Sequence, residues 1–305
     1  MSFTVTILGS GAALPTAQRQ PTSQYISCND RHLLIDCGEG TQTQLRKAGI
    51  KLQKINHIFI SHLHGDHYFG LVGLLSSMHL LGRDAGINVY GPKELEQIIR
   101  LQLEIGGAKI GFPLNFHPTF NDTKRKLFED KMIEVWSFPL KHKIPTTGFL
   151  VQEKPKERSI LGEEFKNAQL SLTAIPKFRK GENFIDENGV EFDYNDFTFP
   201  PKPSFSYAFC SDTAYHTALC EYINNVTVLY HEATFLEKDK ERAKATFHST
   251  ALQAAEIALK SNVKKLLLGH LSARYESDQA HQIEAAALFP LARVVKDLET
   301  IIIRF

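Results

Sequence analysis

The segment HLHGDH at residues 62–67 constrains this chain more than any other feature of its sequence, and it directly follows the apolar run HIFIS. Three imidazoles and a carboxylate are costly to place within six residues unless something binds them. With 13 histidines in 305 residues, such a pattern arises by chance in on the order of one chain in a thousand. Imidazole nitrogen and carboxylate oxygen suit zinc and its first-row neighbours, and the lack of cysteine in the segment favours an open catalytic site. We expect His62 and His64 to face one ion, and Asp66 and His67 to face a second.

Three further candidate ligands follow apolar runs elsewhere in the chain. His142 follows VWSFPLK, Asp212 follows SYAFCS, and His270 follows KKLLLG. In open α/β folds, ligand sites gather at the carboxyl ends of the strands. The sequence therefore predicts that seven side chains, far apart in sequence, converge at one edge of the sheets.

Short β-branched runs alternate with helical patterns in two parts of the chain, before residue 150 and after residue 204. The predicted strands cover residues 3–8, 32–36, 57–61, 87–91, 132–140, 206–211, 227–230, 265–269 and a last run ending in IIIRF. The predicted helices cover residues 40–48, 69–82, 93–104 and a segment beginning at Ser249. This alternation predicts an α/β fold arranged as two halves.

Composition limits the class of protein and its surroundings. The formal charge is +1, so the chain is no general polycation, and any contact with nucleic acid is expected to be local. The four cysteines form no C-x-x-C pair, which favours reduced thiols in a cytoplasmic protein. No run reaches the roughly 18 apolar residues that span a bilayer, so we expect no membrane association.

Residues 152–203 differ from both halves, because they mix charge, Gly and Pro without a sustained period of either kind. This segment has the character of an insertion. Its basic residues fall in two groups: Lys154, Lys156 and Arg158, then Lys177, Arg179 and Lys180. A solvated surface loop is one interpretation. The other is a projecting arm that grips a polyanion, since long inserts in compact domains are commonly functional.

Several motifs together resemble the metallo-β-lactamase superfamily and, within it, the ribonuclease Z family of tRNA 3′-processing endonucleases. HLHGDH marks only the superfamily, whereas three other motifs are more specific to ribonuclease Z: HEATF at 231–235, FHST at 247–250 and SARY at 272–275. The resemblance implies one hydrolase domain over residues 1–305, a four-layer αββα sandwich of two similar halves, with residues 152–203 as an inserted tRNA-binding arm.

The resemblance also implies roles for individual residues. His62, His64 and His142 would hold one Zn²⁺, Asp66, His67 and His270 a second, and Asp212 would bridge them; Mn²⁺ or another divalent ion is an alternative. Metal-generated hydroxide would attack phosphorus, with Asp66 helping to position the water. The family's candidate proton donor is His248, with Glu232 orienting it. We expect Asp36 to hold a histidine ligand or a glycine-rich turn in place, with a simple turn-forming role as the alternative. We expect Arg274 to bind a scissile or neighbouring phosphate, with a surface ion pair as the alternative.

The function implied is a zinc-dependent endoribonuclease that removes the 3′ trailer from precursor tRNA, leaving a 3′-hydroxyl on the tRNA and a 5′-phosphate on the trailer. The family further implies a homodimer. Two alternatives stay open at this point: a phosphodiesterase of the same superfamily that acts on a small substrate, and a metal-free nucleic-acid-binding scaffold. The chain departs from the family pattern in NAQLSLTAIP, which lacks a Gly-Pro-rich motif, and in KIPTTGFL after His142.

Overall fold

A computed structural model describes residues 3–304 of the chain. Its strands, β1 to β20 in chain order, are Phe3–Gly9, Gly11–Ala12, Ser23–Cys28, Arg31–Cys37, His57–Phe59, Ile87–Gly91, Leu114–Pro118, Arg125–Glu129, Ile133–Leu140, Thr146–Glu153, Ser159–Ile160, Phe184–Ile185, Glu191–Phe192, Thr198–Phe199, Ser206–Cys210, Val228–Glu232, Lys265–Gly269, Leu271–Ser272, Ala292–Val294 and Thr300–Ile302. Its α-helices, α1 to α10, are Thr41–Lys47, Gly65–Tyr68, Leu71–Leu80, Glu94–Ile105, Gly162–Asn167, Ala174–Lys180, Leu219–Tyr222, Lys240–Thr246, Ala251–Lys260 and Gln279–Leu288.

Two seven-stranded sheets organise the larger part of the chain. The first has the order β20-β1-β3-β4-β5-β6-β7, and the second has the order β19-β17-β16-β15-β10-β9-β8. Strands β4 to β7 run parallel, as do β15, β16, β17 and β19. Each parallel set places its carboxyl ends along one edge of its sheet, and both sets include strands that precede candidate ligands.

Three hydrophobic clusters define four layers. The first cluster lies between the sheets and includes Val5 and Phe59 from one sheet with Phe209 and Tyr230 from the other. The second joins the outer face of the first sheet to α1, α3 and α4. The third joins the outer face of the second sheet to α7, α9 and α10. The order helix, sheet, sheet, helix confirms the predicted αββα class, and burial on both faces explains why several strands are apolar throughout.

Most predicted elements are present, with small shifts at their ends. The helix expected from Ser249 begins at Ala251, because Thr250 caps it: the Thr250 side chain accepts from the Gln253 amide while Gln253 reaches back to the Thr250 backbone. The helix expected over residues 69–82 corresponds to α3, which begins at Leu71 and ends at Leu80. Apart from the elements of residues 153–204, those that lie outside the predicted ranges are β2, β3, β7, β8, β10, β18 and β19 and the helices α2, α7, α8 and α10.

Residues Glu153–Ser204 form a compact unit of their own. Short elements make up this unit, namely α5, α6, the pair β11 and β14, and the hairpin β12 and β13. A small core holds it together, with Phe165, Ala174 and Phe178 buried and Phe197 stacked on Phe178 at 5.2 Å between ring centroids. The absence of a long period in the sequence here reflects elements of only two to seven residues.

Three residues at or just after strand ends have left-handed backbone although none is glycine: Asp36 at φ 55°, Asp212 at φ 58° and His270 at φ 55°. Such conformations are uncommon outside glycine and cost on the order of 1–3 kcal/mol each. They persist only where the surroundings hold them.

Cys28, Cys37, Cys210 and Cys220 are free thiols. Within residues 3–304 none of the helices combines the length and the apolar character needed to cross a bilayer.

Candidate metal centre

Four side chains from three separate strand ends form the first group of possible metal ligands. His62 and His64 follow β5, His142 follows β9, and Asp212 follows β15. His62 Nε2 lies 3.0 Å and His142 Nε2 lies 3.2 Å from His64 Nδ1. Asp212 Oδ2 lies 3.6 Å from Nε2 of both His62 and His142.

These spacings fit a tetrahedral ion. A zinc ion with bonds of about 2.0–2.1 Å separates neighbouring ligand atoms by about 3.3 Å. The four distances between 3.0 and 3.6 Å bracket that value. Three imidazole nitrogens and one carboxylate oxygen are also the donor set that zinc and related divalent metals prefer.

A second group faces the other oxygen of Asp212. His270 Nε2 lies 3.0 Å and His67 Nε2 lies 3.2 Å from Asp212 Oδ1. Asp66 Oδ2 lies 3.4 Å from His67 Nε2 and 3.5 Å from His270 Nε2. Both imidazole nitrogens are buried and neither has a hydrogen-bond partner. Buried nitrogens that face only carboxylate oxygens are what a cation site requires, so the residues of both groups fit divalent metals.

Asp36 and Ser61 hold the imidazole of His67. Asp36 is fully buried, and its Oδ2 lies 2.7 Å from His67 Nδ1. The backbone N–H of Ser61 donates to Asp36 Oδ1 at 2.7 Å, and the Ser61 hydroxyl donates to Asp36 Oδ2 at 2.9 Å. With Nδ1–H donated to the carboxylate, the lone pair of His67 is on Nε2, the atom that faces Asp66 and Asp212.

Glu232, Thr234 and His248 form a second network beside the ligands. Glu232 is fully buried at the end of β16, and its Oε1 lies 2.9 Å from His248 Nδ1. Thr234 donates its hydroxyl proton to Glu232 Oε2 at 2.6 Å. Its oxygen lies 2.9 Å from His270 Nδ1 and, with that proton given to Glu232, can accept Nδ1–H, which leaves the lone pair of His270 on Nε2. One threonine thus links the Glu232–His248 pair to a candidate ligand.

The carboxylates also control the pKa values of the imidazoles. Burial opposes a charge on His67, but Asp212, Asp66 and Asp36 outweigh burial and raise its pKa well above the usual range. Burial opposes ionisation of Asp212, yet the imidazoles around it, first His270, hold its pKa well below the usual range. Burial opposes ionisation of Asp66 too, but His67 and His270 lower its pKa. Asp66 and Asp212 therefore stay ionised, and the imidazole protons are the ones that a bound cation displaces.

The pKa of His248 is raised as well. Burial lowers it, and the Glu232 carboxylate outweighs burial through its charge and its hydrogen bond. His248 is therefore suited to carry a proton near neutral pH.

A cavity of about 610 Å³ opens onto both groups. His64, Asp66, Asp212, His248 and His270 all line it, so the candidate ligands and the Glu232–His248 pair share one space. The cavity is large enough for a nucleotide-sized segment of substrate.

Arg274 also lines this cavity. Its guanidinium lies 4.9 Å from the centre of the Phe235 ring, and its Nε donates to Ser272 Oγ at 3.1 Å. No carboxylate within residues 3–304 forms an ion pair with it at 4.0 Å or less, so the surface ion pair considered from the sequence is absent from the described chain. The cation is oriented by an aromatic ring while its charge faces the cavity.

The six basic residues expected in the arm differ in their surroundings within the unit of residues 153–204. Lys156 donates to Glu153 Oε2 at 2.7 Å and to the Pro203 carbonyl at 3.0 Å. The Arg158 guanidinium packs 4.6 Å from the Tyr194 ring centre. The second basic group lies exposed along α6 and includes Lys177, Arg179 and Lys180.

Six other histidines, none of which follows a strand end in the manner of the candidate ligands, are absent from both ligand groups. Among residues 3–304 none of the six belongs to a set of three or more possible ligands: His57, His79, His117, His216, His231 and His281.

Ser61 and Thr234 are the positioning residues that sequence reasoning missed. Both lie within or beside motifs already singled out, Ser61 immediately before HLHGDH and Thr234 inside HEATF. A hydroxyl residue adjoining a cluster of imidazoles is a usable signal, because ligating histidines need an acceptor at the second ring nitrogen.

The chain is similar to known proteins along almost its whole length. The chain is 45% identical over 288 residues to ribonuclease Z of Parabacteroides distasonis, covering 94% of this chain and 95% of that protein. It is similar to the crystal structure of human tRNase Z, short form (ELAC1), with a TM-score of 0.73 and 28% identity over 99% of this chain and 100% of that one.

Two further matches concern the fold or part of the chain. The metallo-beta-lactamase fold protein YhfI from Bacillus subtilis superposes with a TM-score of 0.71 at 16% identity, over 99% of this chain and 100% of that one. A family model described as anti-Pycsar protein Apyc1 matches residues 3–144, less than half of the chain. The fold is that of metallo-β-lactamases. The 45% identity to a ribonuclease Z over 94% of the chain shows the family within that fold. The chain belongs to the ribonuclease Z family of endoribonucleases.

Proposed function

We propose that this protein is a divalent-metal-dependent endoribonuclease that removes the 3′ trailer from precursor tRNA. The observation that carries the proposal is the shared cavity, in which two ligand groups joined by Asp212 lie beside the Glu232–His248 pair. A relative named ribonuclease Z and a neighbour named tRNase Z support the choice of substrate.

Two divalent cations, zinc in our proposal, would be held by the two groups. His62, His64 and His142 would hold one, Asp66, His67 and His270 the other, and Asp212 would contribute one oxygen to each. Bound there, such cations lower the pKa of water toward neutrality and neutralise charge on a phosphodiester. The carboxylate of Asp66 is already held in place by the Ala13 N–H at 2.9 Å, so it can also orient a water for attack on phosphorus.

His248 supplies the proton that hydrolysis requires. Attack by the water oxygen forms one P–O bond and breaks the bond between phosphorus and the 3′-oxygen of the tRNA. That oxygen leaves poorly as an alkoxide near pH 7, so a donor that protonates it speeds its departure. With Nδ1–H given to Glu232, the opposite nitrogen of His248 is the one available to the leaving 3′-oxygen. The products are a 3′-hydroxyl on the tRNA and a 5′-phosphate on the trailer.

Cationic residues bind the parts of the tRNA that lie away from the scissile bond. Arg274, with its guanidinium 4.9 Å from the centre of the Phe235 ring, is placed to bind a scissile or neighbouring phosphate bidentately. We assign tRNA binding to the arm of residues 152–203, mainly through the exposed Lys177, Arg179 and Lys180. Lys154, Lys156 and Arg158 complete its positive surface. Lys156, Arg158 and Arg179 also have partners inside the unit, that of Arg179 being Glu157 at 3.8 Å.

We further propose a cytoplasmic location, since free thiols suit a reducing compartment. The homodimer is a separate proposal, which follows from the family resemblance. Light scattering of the purified protein measures the assembly directly.

The test uses purified protein, end-labelled precursor tRNA and sequencing of the 3′ end that is produced. Cleavage at a single position after the discriminator base, lost on chelation and regained with Zn²⁺ or Mn²⁺, supports the proposal. A protein that leaves the precursor intact yet hydrolyses small phosphodiesters would favour the small-substrate alternative. Elemental analysis complements the assay, because a metal-free protein after gentle purification contradicts the metal-dependent mechanism.

A further inference from the structure

The ring of Phe69 is the largest exposed aromatic surface in the wall of the catalytic cavity. Phe69 is 63% exposed, a larger fraction than any other phenylalanine among the described residues. It lines the same cavity as His64, Asp66 and His248. Leu14, at 66% exposed, lines this cavity too. Single exposed apolar residues are common on protein surfaces, so exposure alone does not indicate a role for Phe69. A binding role is indicated by how its backbone and its ring are held.

The backbone that carries Phe69 is fixed on both sides. The Phe69 N–H donates to the Gly65 carbonyl at 2.9 Å, and the Gly70 N–H donates to the Cys37 carbonyl at 2.9 Å. Gly70 packs so closely that a Cβ there would lie 2.2 Å from the Gly38 carbonyl oxygen. The exposed ring is therefore presented by a junction between α2 and α3 that is anchored to the end of β4, not by a loose loop.

One side of the ring is already covered by the metal-binding motif. A Cβ built on Gly65 would lie 2.2 Å from Phe69 Cε2 and 2.5 Å from Cζ. The Tyr68 ring meets Phe69 edge-on, with 5.0 Å between centroids and 69° between planes. The ring is thus supported from below and beside while its remaining surface faces the cavity. This is how a rigid stacking surface is built.

We propose that Phe69 stacks against the base of a nucleotide that flanks the scissile phosphate. The inference rests on the proposed function, because the occupant of the cavity must bring a phosphate to the two ligand groups and a flat apolar surface to Phe69. A nucleotide carries both. Every base has a π-face, so stacking on Phe69 holds the strand without selecting one sequence.

The experiment is a mutant cycle on three substrates under single-turnover conditions. The substrates are a precursor tRNA and two versions of it that carry an abasic residue on the 5′ or the 3′ side of the scissile phosphate. Phe69→Ala is compared with the wild type, with Phe69→Tyr as the conservative variant. Phe120→Ala is the matched control, since Phe120 is 48% exposed and is not among the residues that line the cavity.

Phe69→Ala is expected to lower kcat/KM on the intact precursor by about 5- to 150-fold, the range seen when base-stacking aromatics are truncated. On one of the two abasic substrates the variant and the wild type should cleave equally well. Phe69→Tyr should stay within about threefold of the wild type, and Phe120→Ala should match it.

Two results would overturn the inference alone: undiminished cleavage of the intact precursor by Phe69→Ala, or the same loss on all three substrates. A wild-type protein that does not cut the precursor overturns the proposed function and the stacking role with it.

Discussion

Replacing Asp36 by Asn tests whether a buried carboxylate sets the metal affinity of His67. Asp36 accepts the Ser61 N–H on Oδ1 at 2.7 Å. Its Oδ2 accepts His67 Nδ1–H at 2.7 Å and the Ser61 hydroxyl at 2.9 Å. An asparagine has the same shape but only one acceptor oxygen, so in either orientation its NH₂ group faces an N–H donor, and that donor loses its partner.

The magnitude follows from the hydrogen bond that asparagine cannot make. A hydrogen bond to a charged group contributes about 1.5–3 kcal/mol, and loss of a partner behind a ligating histidine typically weakens metal binding by 10- to 100-fold. We expect Asp36→Asn to weaken binding at the group containing His67 by about 10- to 100-fold. Excess metal should restore the full metal content.

The assay is competition for Zn²⁺ between the protein and a chromogenic chelator, with circular dichroism to confirm folding. Asp297→Asn is the control, because Asp297 accepts from the Ser10 hydroxyl and the Gln20 N–H and lies outside both ligand groups. That variant should bind zinc as tightly as the wild type. A folded Asp36→Asn protein with unchanged zinc affinity would refute the reasoning.

The remaining predictions concern the bridging ligand, the arm and acid stability. Asp212→Ala removes an oxygen from both ligand groups, so precursor cleavage and zinc content, measured on one preparation, should both be lost; wild-type zinc content would contradict the bridging role. Neutralising the exposed cations of α6 should weaken tRNA binding and reduce the slope of log K against log[salt] by about 0.7–0.9 for each phosphate that is no longer neutralised, while hydrolysis of a small phosphodiester stays unchanged; an equal loss of both activities would refute the arm assignment. The variant is Lys177→Ala, Arg179→Ala, Lys180→Ala. Burial, with Arg19 nearby, lowers the pKa of His281 to about 4, below about 6.5 in the unfolded chain, so the stability that neutral His281 contributes is lost as pH falls from about 6.5 toward 4. In urea titrations over this pH range, His281→Phe should reduce the slope of the unfolding free energy against pH by up to about 1.4 kcal/mol per pH unit. An unchanged slope would contradict this role of His281.

The convergence of the seven candidate ligands could be predicted because each follows an apolar strand. Strands paired in parallel bring their carboxyl ends to one edge, so HLHGDH, His142, Asp212 and His270 were expected to meet, and the structure brings them together. The alternation of strands and helices predicted an α/β fold in two halves, whereas the αββα layering was implied by the family resemblance.

Contacts across the sheets could not be predicted in this way. Thr234 meets His270 over 36 positions of sequence, and the pairing depends on the register of β16 and β17. Asp36 meets His67 over 31 positions through the neighbouring strands β4 and β5. Sequence patterns specify which face of a strand is buried, whereas these contacts require the offset between strands, which no single strand encodes.

Some of the strands that were not predicted are half-exposed and lie at sheet edges, although β3 and β10 are central and buried. Strands β7 and β8 are the outermost strands of their sheets, and most of their residues are exposed or only partly buried. Their sequences therefore lack the continuous apolar character that marks the central strands. The alternation of apolar and polar residues is weak in such short segments, so the sequences of polar edge strands resemble those of loops.

The left-handed backbone at Asp36, Asp212 and His270 sets a limit on how this protein can be improved. Glycine would relax the backbone at each of the three places, but it would remove a carboxylate or an imidazole from the candidate metal centre or from the residues that support it. Engineering for robustness is therefore best directed at residues away from these three corners, where gains in folding free energy do not compete with chemistry.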